Sequence, residues 1–131
     1  MAGLRLGLAV ILSVAVPVVA QAQGADSLPP GVTAKMVTDG QSLFNGAGLC
    51  MACHGADAKG LPNLGPDLTD TKWLHSKGTY DEIVKQIMTG VTPDQSTTGI
   101  MMPPKGGSAL TDAQVKAVAA YVWKLSRGGG K

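Results

Sequence analysis

Cys50-Met51-Ala52-Cys53-His54 gathers both cysteines of the chain, and one of its two histidines, into a single short run. Two thiols three residues apart with an imidazole directly after them form the attachment signature of c-type haem. Each thiol adds across one of two neighbouring vinyl groups, giving two thioether bonds. The histidine is then held on one face of the ring, where its imidazole can bind iron. Other chemistries ask for residues the chain lacks. A zinc half-site needs two more ligands at similar spacing, and the only other histidine is His75. A thioredoxin-like redox pair belongs beside a strand–helix–strand pattern, and none is present. A structural disulfide between Cys50 and Cys53 is compatible with an oxidising compartment but does not require His54.

The segments around the motif must position it. Ahead of it, Arg5 is the lone charge of a short n-region, Leu6 to Ala20 is almost unbrokenly apolar, and Ala20-Gln21-Ala22 matches a small-residue cleavage site. This reads as a secretory signal peptide over residues 1–22. The apolar run is shorter than the ~20 residues a membrane span requires, so no stable membrane insertion is expected after cleavage. Residues 23–32 are polar and bear Pro and Gly, and are expected to be a flexible leader. The rest of the chain is long enough for one small domain. The formal net charge is only +2, and lower once Arg5 is removed, so there is no strong field for nucleic acid or anionic lipid.

The domain, residues 33–126, reads as helices and loops without convincing strands. Thr33 to Asn45 has helical periodicity, with Met36, Val37, Leu43 and Phe44 on a broad face. Gly55 to Gly78 is a long irregular segment, which in a compact domain demands a function. Thr79-Tyr80-Asp81-Glu82 and Thr111-Asp112-Ala113-Gln114 are capping boxes. The first opens a helix through Ile83, Val84, Ile87 and Met88. The second opens one carrying Val115, Val118, Ala119, Val122 and Leu125 at helical spacing. Residues 127–131 read as a flexible glycine-rich tail.

The order helix, C-x-x-C-H, Gly-Pro-x-Leu loop, helix, Met-Pro loop, helix resembles the class I cytochrome c family over essentially the whole mature chain. The resemblance implies an all-α cytochrome c fold, with about three main helices and long loops wrapped around one covalently bound haem c. Gly40 and Phe44 are similar to the Gly-x-x-x-aromatic pair of the family's first helix, answered by Val118 and Tyr121 on the last. Gly65-Pro66-Asp67-Leu68 resembles the family's Gly-Pro-Asn-Leu loop. It implies that the Pro66 carbonyl accepts a hydrogen bond from Nδ1 of His54 and that Leu68 packs on the haem. Asp67 departs from the commoner Asn. Met102-Pro103 resembles the axial Met-Pro loop, making Met102 the implied second iron ligand. Met101 is its neighbouring alternative, and His75 leaves bis-histidine ligation open. Trp73 stands either near a haem propionate or as an aromatic plug of the core. Lys59, Lys72, Lys77 and Lys105 form either a docking rim or an ordinary solvated surface.

A haem with protein ligands on both faces has no open position for a substrate, so the chemistry it implies is one-electron exchange. The expected function is a periplasmic electron carrier, not itself an enzyme. Its expected partners are redox proteins: a dehydrogenase, a cytochrome complex or a terminal oxidase. One alternative is a haem-bearing subunit held permanently in such a complex. A gas- or peroxide-reactive protein would need Met102 to leave the iron.

Overall fold

Four helices, two long loops and a single apolar core make up residues 27–129, the part of the chain that the structure, a computed structural model, describes. The expected signal peptide and residues 23–26 of the expected leader lie outside the described residues. Helix α1 spans Ala34–Phe44 and begins where Thr33 accepts a hydrogen bond from the Met36 N–H at 3.2 Å. α2, Met51–His54, is a single turn holding the motif. α3 is Tyr80–Thr89 and α4 is Asp112–Lys124. Both predicted capping boxes form. The Glu82 and Gln114 side chains reach back to the N–H groups of Thr79 and Thr111 at 3.2 and 2.9 Å. Each satisfies a helix-end donor that would otherwise have none.

α1 packs chiefly on α4. Gly40 makes this possible: a Cβ there would overlap the Ala117 carbonyl and stand 3.0 Å from Tyr121 Cβ. One turn later Phe44 is buried and meets the Tyr121 ring edge-on, with centroids 5.5 Å apart. α3 closes the other side of α4 through buried Ile83 and Ile87, and the Tyr80 hydroxyl donates to the Lys116 carbonyl at 3.1 Å. Val115, Val118, Ala119, Val122 and Leu125, placed on one face by their spacing, are all buried.

Among the described residues there are no strands, only two isolated bridges, Leu61 with Gly65 and Val91 with Met102. The chain departs from expectation at both ends. Val32, assigned to the leader, is buried and donates its N–H to the Pro29 carbonyl at 3.0 Å. After α4 the chain winds on as a wider turn over Leu125–Gly129. Arg127, assigned to the tail, lies over the Trp123 ring at 5.2 Å. Both boundaries were expected from Pro, Gly and polar composition, which carries no information about these contacts.

Candidate functional site

Elementary geometry puts Cys50, Cys53 and His54 together, because α2 is one helical turn and all three belong to it or cap it. The turn is entered through Leu49, whose φ of 59° is left-handed, and left through Gly55. Both thiols are free and half-buried. Burial pushes the Cys50 thiol up to about 11. A thiol so poorly ionised is not an activated nucleophile of the kind redox enzymes use.

His54 is buried at 8% exposure, and its Nδ1 lies 3.0 Å from the Pro66 carbonyl. Burial lowers its pKa, and the Pro66 carbonyl only partly opposes this. The ring is therefore held neutral, with its proton on Nδ1 and Nε2 left as an electron-pair donor. The loop that brings Pro66 into place is anchored locally. Leu68 N–H donates to the Ala58 carbonyl at 2.8 Å, and Ala58 is fully buried. Asp67, the departure from the commoner Asn, accepts from the Thr69 N–H at 2.6 Å and from its hydroxyl at 2.7 Å. These bonds hold its carboxyl below the usual range.

These groups border one cleft of about 320 Å³, within the size range of cofactor sites. Cys50, Cys53, His54, Pro66, Leu68, Trp73 and Met102, the residues singled out from sequence, all line it. Its floor is apolar, from Phe44, Ile83, Ile87, Val118 and Val122. Met102 is delivered by the second loop and held through its backbone. Its N–H and carbonyl pair with those of Val91 at 2.9 and 2.8 Å. Met101 is also on the lining but is 48% exposed. His75 is exposed at the rim, where the cleft adjoins a second, polar hollow. Lys105 is tied to the Leu110 carbonyl and to Asp112, both at 3.0 Å, so its role is to brace the loop before α4.

The residues fit a haem on two independent grounds. The donor set is two thiols, a neutral imidazole and thioether sulfurs around one cavity. In addition, Leu49, Leu74, Ile100 and Met101, four of the six large apolar side chains left exposed among the described residues, line this cleft. A flat apolar group seated there would cover them. Sequence reasoning missed the part of Val91, because a backbone bridge leaves no side-chain signature. It also missed Ser96, Thr97 and Thr98, which line the cleft from a loop with no recognisable motif.

Comparison with known proteins agrees with this geometry. Residues 35–122 match the family described as cytochrome c oxidase, cbb3-type, subunit III. The chain is 42% identical over 87 residues to the cbb3-type cytochrome c oxidase subunit CcoP of Rubrivivax gelatinosus, covering 66% of this chain and 25% of that protein. It is 40% identical over 97 residues to CcoP of Rhodobacter capsulatus, covering 72% and 30%. With the subunit FixPc of Rhizobium leguminosarum bv. viciae it shares 40% over 82 residues, covering 62% and 25%. The chain thus spans between a quarter and a third of the length of these relatives. Among solved structures, cytochrome cL of Methylophaga aminisulfidivorans superposes with a TM-score of 0.52 at 26% identity, covering 70% of this chain and 53% of that one.

Proposed function

Since the chain belongs to the family of c-type cytochrome domains described as cytochrome c oxidase, cbb3-type, subunit III, we propose that it carries a single haem c and passes electrons one at a time within a terminal oxidase complex. The observation that carries this reading is the convergence of Cys50, Cys53, His54 and Met102 on one apolar cleft, with Pro66 committing the His54 tautomer. Support for a subunit, rather than the freely diffusing carrier expected from sequence, comes from the relatives, which are named as oxidase subunits. A free periplasmic carrier is the second reading, and the Ala20-Gln21-Ala22 site fits the export that both readings require. In either case the haem domain acts on the periplasmic side. No helix among the described residues is long and apolar enough to cross a membrane.

Haem c, when bound, supplies an iron that cycles between ferrous and ferric states. Cys50 and Cys53 would hold the ring as thioethers, and His54 Nε2 and Met102 sulfur would bind the metal. The chain's own contribution is rigidity and exclusion of water. The Pro66 carbonyl keeps the imidazole from turning, and second-sphere bonds of this kind tune a ligand as well as orienting it. The Val91 pairing fixes the Met102 backbone and so would hold its side chain within reach of the metal. The apolar floor from Phe44, Ile83, Ile87, Val118 and Val122 would exclude water from a bound haem and favour its less charged, reduced form.

Two measurements test the proposal. Acid–acetone extraction of the exported protein should leave the haem on the polypeptide, and haem that extracts fully would overturn the assignment of Cys50 and Cys53. Gentle detergent solubilisation should recover the protein with oxidase subunits. Recovery as a lone soluble species would instead favour the free carrier.

A further inference from the structure

We propose that Gly78 and Arg127 are positioning residues that clamp Trp73 against the cleft and thereby limit how far water reaches the redox centre. This rests on the haem reading above. Trp73 is half-buried, lines the cleft and packs on the core. Its indole lies flat against the backbone of Gly78, since a Cβ there would overlap Nε1, Cδ1 and Cε2 of the ring. Gly78 is buried and has a φ of +72°, so both space and backbone conformation demand glycine.

Gly78 is pinned from two sides. On one, its N–H donates to the Ser76 hydroxyl at 3.2 Å, and Glu82 accepts from the N–H groups of its neighbours Lys77 and Thr79 at 3.0 and 3.2 Å. On the other, the Arg127 guanidinium donates from Nη2 to the Gly78 carbonyl at 3.4 Å. The same guanidinium is fixed over the Trp123 ring at 5.2 Å. Arg127, just beyond α4, therefore reaches back to the backbone that supports a wall of the cleft. Neither Gly78 nor Trp123, the two groups that Arg127 grips, is itself on the lining. The contact route from Arg127 to the cleft therefore runs through Gly78 and Trp73, while its charge also acts through space, an effect that Arg127→Lys retains.

The test uses haem-loaded protein and four variants, Arg127→Ala, Arg127→Lys, Gly78→Ala and Trp73→Phe, together with the Arg127→Ala/Trp73→Phe double variant. The readouts are the reduction potential and circular dichroism in the Soret region, which senses the aromatic surroundings of the haem. Arg127→Ala should shift the potential downward, in the direction of Trp73→Phe. That shift should shrink when Trp73 is already Phe. Arg127→Lys, which keeps a donor and a charge, should restore part of it. Gly78→Ala should reproduce the Trp73→Phe spectrum. If it does not assemble, the Arg127 and Trp73 pair decides alone. A wild-type potential and Soret spectrum in Arg127→Ala, or a shift that persists undiminished in the double variant, overturns the clamp. Covalently retained haem in every variant separates that outcome from failure of the functional proposal, which would show as haem lost from the wild type.

Discussion

The Pro66 carbonyl stands 3.0 Å from Nδ1 of His54, across twelve residues of irregular chain. Nothing in the helix that carries His54 orients its ring, so the loop must. The Leu68 side chain helps seat the loop by packing on the core, and the Leu68 backbone N–H, which a substitution keeps, bonds the Ala58 carbonyl. Leu68→Ala should cost about 2 kcal/mol of stability, at the low end for Leu truncation because the side chain is only half-buried. It should also release the ring: the Nδ1 proton of His54 in the haem-loaded protein should exchange much faster by NMR. Unchanged exchange would mean that the Pro66 bond survives without Leu68.

Met102 and Met101 make opposite predictions. Met102 is half-buried with its backbone paired to Val91, whereas Met101 is exposed on the rim. Met102→Ala should abolish the near-infrared band of sulfur-ligated ferric haem, admit carbon monoxide to the reduced protein and lower the potential. Met101→Ala should keep the band. The reverse pattern would move the ligand by one residue, and absence of the band from the wild type would favour His75.

Close contact of α1 and α4 depends on Gly40. Gly40→Ala drives a methyl group into the Ala117 carbonyl, and backbone on that side cannot step aside as a flexible side chain would. Urea unfolding of the haem-loaded protein should show a loss of about 3 kcal/mol, at the upper end for overpacking. A loss below about 1 kcal/mol would show that the helix pair slides freely.

Acid sensitivity should come partly from Glu82. Hydrogen bonds from Thr79, first its side chain and then its backbone, hold this carboxyl below its ordinary value of 4.5. A carboxyl depressed in the folded state stabilises the protein above its unfolded pKa, and that contribution is lost as pH falls through the depressed value. Glu82→Gln keeps an acceptor, as Gln114 does in the equivalent position at Thr111. Stability at neutral pH should therefore change little, while the decline on acidification below 4.5 becomes shallower than in the wild type. Parallel declines in the two proteins would remove Glu82 from the account.

Without haem the chain should lose its cooperative fold. The cleft walls are loops, and Leu49, Leu74, Ile100 and Met101 would be left facing water. Small domains have little stability to spare for such exposure. Replacing both Cys50 and Cys53 by Ser should give a chain with weak helical circular dichroism and no sharp thermal transition. A native-like melt would show that the α1–α4 pair suffices alone.

Much of this protein is local and therefore legible in its sequence. The haem motif is a single helical turn, so Cys50, Cys53 and His54 are brought together by spacing alone. Both capping boxes act within four residues, which is why Thr79 and Thr111 marked the starts of α3 and α4 correctly. Helical periodicity placed Val115, Val118 and Val122 on one face, although α4 is buried continuously from Ala117 to Val122 because both α1 and α3 pack on it. Pro66, Leu68 and Met102 were reachable only through a family resemblance, since no local rule links a proline carbonyl to a histidine twelve residues away. Three relationships belonged to tertiary structure entirely. The bridge between Val91 and Met102, the press of Gly78 on Trp73, and the reach of Arg127 back to Gly78 are all made by backbone groups or by residues far apart in the chain. Backbone groups are the same at every position, so only folding decides which of them meet.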